Sequence, residues 1–491
     1  MKRTLYKNIL PFLLIAIALI SGCAKEEDPI VPIPEATEVN SFIYKGLHDY
    51  YLWNGQVPTL SDTKYENKDS LNALLNTYTD EQELFTSLLY KYEEVDKWSF
   101  LVDDSKTIED WIAGISETMG YDFMLGRIGS SDDLFGFVRY VYKGSPAEKA
   151  GVKRGDIFMK VNDQQLTVSN YQTLLLATKT YTLAFATISN NSISLSNRSV
   201  TMTAVEMQEN PINKDTIFVF NNQKIGYLVY NGFNSDFDIQ LNDVIKKFKD
   251  AKIDRMVLDL RYNGGGSVQS SIYLASMLYG TDVSKVYAKA QYNNVLQSYL
   301  LNEYGAAMLT DNFVATIEKT DKNPATPINT LNLNKIHIIV SENTASASEM
   351  LINGLRPYMN VVVVGTNTNG KYTGSMTVKD WDENGDVNPR HNWAMQPIVV
   401  KYTNSLGVSD FVDGLAPTFI AEEDFVNLLP FGDPYETLLS YVLADIKGIP
   451  ITSMVLKSAK IGLRKVVDSH DLKAFSNEMY VNPEKLRDFK K

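Results

Sequence analysis

The periodicity of apolar positions changes along the chain, and each change predicts a different kind of element. Between residues 40 and 116 apolar side chains recur at helical spacing, as in Phe42, Leu47 and Tyr51 and again in Leu84, Leu88, Leu89 and Tyr92. This predicts a helical N-terminal domain with no catalytic signature of its own. From 117 to 205 the pattern shifts to short β-type runs punctuated by glycine, among them Phe137–Val141. Over 206–447 strands alternate with helices. Ile225–Tyr230 predicts a strand, Ile239–Phe248 a helix, Met256–Leu260 a buried strand, and Lys335–Val340 and Val361–Val364 two more. Alternation on this scale predicts a core with helices packed on a sheet, so the chain reads as multidomain α/β. Residues 448–491 hold nine Lys/Arg against five acids and read as a partly helical surface extension.

The first 23 residues follow a different logic. Lys2, Arg3 and Lys7 precede an apolar run, Ile9–Ile20, interrupted only by Pro11. A bilayer-spanning helix needs roughly 20 apolar residues, so this run is too short to span and reads as an export signal. It ends in Ile20-Ser21-Gly22-Cys23, which resembles the lipobox of bacterial lipoproteins. That resemblance implies cleavage before Cys23 and acylation of its thiol, hence an exported protein lipid-anchored to a bacterial membrane, facing periplasm or cell surface. The competing reading is an ordinary cleaved signal with an incidental cysteine. Lys25-Glu26-Glu27 resembles the surface-export signals of some lipoproteins. Residues 24–39, with Pro29, Pro32 and Pro34, read as an extended linker.

Composition narrows the function classes. Of 491 residues 44% are apolar and 22% charged, as in soluble globular proteins, and the formal net charge is −12. That balance argues against nucleic acid as the main partner. One cysteine excludes a disulfide framework or a Cys-based zinc site within one chain, and four scattered histidines argue against a His-rich metal site. No metal or cofactor is expected.

Within 117–205, Ser145-Pro146-Ala147 leads through Ala150-Gly151 to Gly155-Asp156-Ile157. Ser145 is placed to cap a short helix with Pro146 at its first position, which Gly151 ends. The pattern resembles a PDZ domain of the bacterial protease type. Such modules add a peptide strand to a sheet edge and hold a terminal carboxylate in backbone N–H groups. The matching carboxylate loop is Gly120-Tyr121-Asp122-Phe123, where Asp122 is an unexpected neighbour for a bound carboxylate.

Three segments of the α/β region could carry chemistry. Asp259-Leu260-Arg261-Tyr262-Asn263-Gly264-Gly265-Gly266 follows a strand and precedes a helical run. Its glycines let N–H groups converge on an anion, or simply make a tight turn; it lacks the pattern of a phosphate-binding P-loop. Ser346, in Ser341 to Glu349, sits on a strand-to-helix turn suited to a nucleophile, but Ser346-x-x-Glu349 is equally a capping box. Lys371 follows Gly365 to Gly370 and is either a solvated loop lysine or, if buried, an amine whose pKa falls far enough to act as a base. A histidine base, His337 or His391, is the weaker option because His337 lies in an apolar strand. Asp380-x-Asp382-x-Asn384-Gly385-Asp386 looks like half a calcium loop, but His391 stands at its twelfth position and a plain turn is the better reading.

Taken together, these segments resemble the carboxyl-terminal-processing (tail-specific) serine peptidases related to the tricorn core. The shared features are the D-L-R-x-N-x-G-G loop, a serine in S-A-S-E, a G-K pair with its lysine 25 positions later, and a PDZ-like region upstream. The resemblance covers roughly 117–440, including Asp413–Pro417 and Phe431-Gly432-Asp433. It implies an α/β core of the ClpP/crotonase-like type, with Ser346 as nucleophile and Lys371 as general base. The N–H groups of Ala347 and Gly265 would form an oxyanion hole. Many members carry a lysine-orienting Gln four residues after the lysine; here that position is Ser375. The implied partners are peptides or unfolded proteins, held through their C-termini. The rival class is a catalytically silent, membrane-tethered peptide-binding scaffold.

Overall fold

The computed structural model describes residues 36–189, 192–320, 324–382, 384–450, 462–472, 475–483 and 486. Cys23, the preceding signal and most of the linker lie outside the described residues.

The core is a six-stranded sheet in the order Ile212–Phe220, Gln223–Tyr230, Arg255–Asp259, Lys335–Val340, Asn360–Gly365, Phe419–Ile420. All neighbours are parallel except the first hairpin. Its strands are apolar at successive positions because both faces are covered. Ile336, Ile338 and Val340 join the cluster that contains helices Asp238–Ala251, Val268–Leu278 and Ala347–Leu355, while Ile339 faces helix Thr437–Lys447. The loops 260–267, 341–346 and 366–372 all leave the C-terminal edge of this sheet, where open α/β sheets place their ligands.

The PDZ-like region forms a sheet through Tyr121–Ile128, Leu134–Val141, Ile157–Val161, Thr180–Ser189 and Ser192–Thr203. Ser145 caps helix Pro146–Lys149 by accepting from Glu148 N–H at 3.1 Å, as its sequence predicts. Ile115–Thr118 pairs antiparallel with Val205–Gln208, so the chain enters and leaves this domain through a two-stranded stem. The domain is bolted to the core by buried charges. Arg154 lies 2.6 Å from Glu423, and Arg261 contacts Asp259 at 2.7 Å, Glu436 at 2.6 Å and Glu423 at 2.8 Å. The Phe431 ring stacks 4.2 Å from the Arg154 guanidinium.

One expectation gains a detail and one needs correction. The N-terminal domain is mostly helical, but its strand Phe100–Val102 pairs with Ala394–Gln396 of the core, and it does reach the candidate site, through Trp98. Among the described residues, the stretch expected to be a partly helical surface extension is neither α-helical nor confined to the surface. It forms two strands, Leu463–Asp468 and Met479–Tyr480, and buries Asp468, Glu478 and Met479. Its basic composition misled because the chain buries a few polar residues in pairs, which a count of charges does not register.

Candidate active site

Ser346 closes the loop between strand Lys335–Val340 and helix Ala347–Leu355 with φ +65° and ψ −117°. A non-glycine residue in that region is strained and persists only where its surroundings over-determine it. The surroundings are the glycine-loop segment. Thr344 Oγ1 donates to Leu260 O at 2.8 Å, Ala345 N–H to Asn263 O at 3.1 Å and Ser348 Oγ to the same carbonyl at 3.1 Å. A Cβ on Gly265 (φ +110°) would stand 2.6 Å from Ser346 Cβ, so only glycine allows this approach.

The capping-box arrangement is present, with the Ser346 side chain facing the Glu349 N–H and the Glu349 side chain the Ser346 N–H. Glu349 accepts the Ser346 N–H at 2.8 Å, but Ser346 Oγ, buried and aligned over the helix start, makes no hydrogen bond of good geometry. Ala347 opens the helix, where a backbone N–H has no intrahelical acceptor. The Gly265 N–H, by contrast, donates to Asn263 Oδ1 at 2.9 Å, and it is Gly266 N–H that donates to a facing carbonyl, Glu478 O, at 2.8 Å.

Glu349 is the centre of the arrangement. Its carboxylate accepts from Ser346 N–H, from Lys371 N–H at 2.9 Å, from Gly370 N–H at 2.7 Å and from Thr368 Oγ1 at 2.5 Å. Burial pushes its pKa up to about 7 while these four donors pull towards the ionised form. Because every partner is a donor, the ionised form fits the site best.

Lys371 is fully buried, and desolvation lowers its pKa below the ordinary lysine value. The Trp98 ring lies 5.1 Å from its Nζ. Opposing the shift is Glu478, whose Oε2 is 2.6 Å from Nζ; burial in turn raises the Glu478 pKa. Ser346 Oγ and Lys371 Nζ do not hydrogen-bond each other in this state. Ser375 does not touch the lysine directly. Its Oγ lies 3.2 Å from Glu478 Oε2 and accepts from Gln396 Nε2 at 3.0 Å.

The structure thus brings Ser346, Ala347, Gly265, Lys371 and Ser375 together and leaves both alternative histidines elsewhere. His337 Nε2 pairs with Asp445 at 2.8 Å, and His391 Nε2 with Asp380 at 3.1 Å. The Asp380–Asp386 segment is a hairpin turn in which Asp382 Oδ1 accepts from Asn384 and Asp386 N–H. In the Gly120–Phe123 loop, Asp122 is neutralised by the buried Arg139, which also contacts Asp468 at 3.1 Å. Glu349 carried a sequence signal, its place in S-A-S-E. Trp98, Gln396 and Glu478 carried none, since each arrives from a distant element.

A cleft of about 880 Å³ runs between the PDZ-like domain and the glycine loop, lined by Tyr121, Leu175, Gly265, His470 and Glu478 among others.

Three family models match the chain: peptidase family S41 over 224–397, the S41 N-terminal domain over 38–100 and a PDZ domain over 137–180. A "Probable CtpA-like serine protease" of Staphylococcus aureus (strain COL) is 24% identical over 342 residues, which is 66% of this chain and 60% of that one. The carboxy-terminal processing protease CtpA of Bacillus subtilis (strain 168) is 25% identical over 301 residues, 61% of this chain and 56% of that one. The chain therefore spans about 60% or less of the length of these curated relatives. Among solved structures, a candidate S41 protease from Bacteroides fragilis NCTC 9343 superposes with TM-score 0.61 at 25% identity, covering 83% of this chain and 97% of that one. In chain order, the S41 N-terminal domain, a PDZ domain and the S41 peptidase core are each matched, so in architecture the chain is similar to peptidase family S41.

Proposed function

We propose that the protein is a serine endopeptidase of the carboxyl-terminal-processing type, working through a Ser346–Lys371 dyad. The observation that carries this reading is the pairing of a strained, unpartnered, buried serine hydroxyl with a buried lysine whose basicity is lowered by desolvation. Ser346 Oγ attacks the scissile carbonyl and Lys371, neutral in the working state, takes its proton. The ammonium then returns that proton to the leaving amine, and water repeats the cycle on the acyl-enzyme. Ala347 N–H supplies one oxyanion donor. A glycine-loop N–H supplies the second: Gly266 already holds a carbonyl, while Gly265 would have to leave Asn263 Oδ1. Ser375, backed by Gln396, steadies the lysine's surroundings.

The PDZ domain presents the C-termini of extended peptides to this cleft. With Cys23 acylated, the enzyme is exported and held on a bacterial membrane. Labelling by a fluorophosphonate probe, located by mass spectrometry, tests the chemistry. Modification at Ser346 that disappears in Ser346→Ala supports it, and hydrolysis persisting in Ser346→Ala refutes it. For the anchor, Cys23→Ser should move the protein out of the detergent phase; unchanged partitioning would exclude acylation at Cys23.

A further inference from the structure

The chain beyond residue 462 enters both places where a peptide substrate is expected. Leu463–Asp468 adds antiparallel to the free edge of Tyr121–Ile128, in register from Leu463↔Ile128 to Asp468↔Met124. It runs towards the Gly120 loop, the direction a peptide must take if that loop is to hold its C-terminus. At the loop, Ser469 N–H donates to Phe123 O at 2.8 Å and Ser469 Oγ accepts from Phe123 N–H at 2.9 Å. A backbone donor of the carboxylate loop is thereby already in use. Asp468 also accepts from Asn343, in the Ser346 loop, at 3.1 Å.

Residues 475–483 then cross into the cleft. Met479–Tyr480 inserts as a strand between Gly266–Ser267 and Thr373–Ser375, parallel to both. Val481 N–H donates to Ser375 O at 3.0 Å. The point where a Gly265 Cβ would stand is 2.8 Å from Ser346 Oγ and 2.9 Å from Glu478 O, so a backbone carbonyl of this segment shares the glycine's cradle with the hydroxyl. Its carboxylate meanwhile holds Lys371. These are contacts of an added strand made through backbone groups, on two edges that a substrate would need.

We infer that residues 462–472 and 475–483 are an intramolecular ligand that fills the PDZ peptide edge and the Ser346–Lys371 cleft together and keeps the enzyme latent. An extended peptide that takes the PDZ edge displaces Leu463–Ser469 and, by covalent continuity, withdraws Glu478 from the lysine. The inference rests on the peptidase reading above.

The test uses the full-length protein with Ser469→Pro and Val481→Pro combined, which removes one tail N–H donor at each edge, and the Ser469 hydroxyl with the first, and leaves the strands they pair with unaltered. If the tail occupies the cleft most of the time, its release raises apparent activity by the inverse of the open fraction, about tenfold or more. Cleavage of an unstructured reporter peptide and fluorophosphonate labelling of Ser346 should both rise by that factor. In a Ser346→Ala background, a fluorescent peptide of sequence 462–483 should bind the released protein at least about tenfold more tightly than the unreleased one. This arm does not depend on catalysis, so gated binding without hydrolysis would retain the tail inference and remove the peptidase reading. Equal binding to both proteins would overturn the inference. Should circular dichroism show the double variant unfolded, hydrogen exchange on the native protein decides. Saturating reporter peptide should expose the amides of Ser469 and Val481, and unchanged protection there would overturn it.

Discussion

The backbone N–H groups of Ser346 and Lys371 donate to the same oxygen, Oε2 of the buried Glu349, at 2.8 and 2.9 Å. One carboxylate therefore fixes the separation of two loops that leave neighbouring strands, and does so without touching either side-chain head group. The serine and the lysine are registered through their backbones, which leaves the hydroxyl and the amine to contacts of their own, the amine's being Glu478.

That registration predicts the behaviour of Glu349→Gln. The amide –NH2 would face N–H donors, leaving at least one buried group unsatisfied at a cost of about 1–3 kcal/mol. The variant should unfold at lower denaturant and lose kcat with KM little changed. Wild-type kcat in Glu349→Gln would show that the shared carboxylate does not position the dyad.

Lys371→Arg should lose about 10²–10⁴-fold in activity, the usual worth of a general base, because a guanidinium stays protonated. His337→Gln and His391→Gln should keep their activity, since both rings pair elsewhere. Measured on the tail-released protein, where turnover is greatest, substantial hydrolysis by Lys371→Arg would remove lysine as the base.

The rate should rise with pH, because a base must be neutral and Lys371 loses its proton only above its lowered pKa. Glu478 opposes that lowering as an adjacent opposite charge. Glu478→Gln therefore lowers the lysine pKa further, and the rising limb of kcat/KM should move to lower pH, whatever happens to its height. A limb that stays in place or moves upward would uncouple the two residues.

Arg261→Met tests the buried charges that join the PDZ domain to the core. It leaves Asp259 and Glu436 without their principal cation, and breaking such a cluster typically costs about 3–5 kcal/mol. Chemical denaturation should show a loss of that order, partly recovered by adding Glu436→Leu. A loss below about 1 kcal/mol would mean that solvent reaches the cluster.

How much of this was legible in the sequence depends on distance along the chain. The cap at Ser145, the strand Lys335–Val340 and the helix after Ser346 are written in local periodicity and capping residues, and the structure contains them. The three motif segments also come from neighbouring strand ends, so their convergence follows from a parallel sheet. What could not be read locally are groups delivered by remote pairing. Gln396 reaches Ser375 from the far side of a β-bulge, and Glu478 arrives on a strand whose composition resembles a surface tail. The proposed oxyanion donor is a third kind of case: glycine content marks a loop where N–H groups can converge, but not that the Asn263 amide takes the Gly265 N–H.

Trp98 covers the lysine from a segment anchored by the register Phe100↔Gln396, one of the longest-range pairings in the molecule. Contacts between such distant positions close late in folding, because loop-closure entropy must be met first. Until they do, Lys371 faces water and keeps its proton at neutral pH. Basicity suited to catalysis is thus a property of the completed molecule alone. On the proposed mechanism, a half-folded copy is chemically harmless to the unfolded chains around it. In refolding, activity should return after secondary structure, and no earlier than the docking of Trp98 over Lys371.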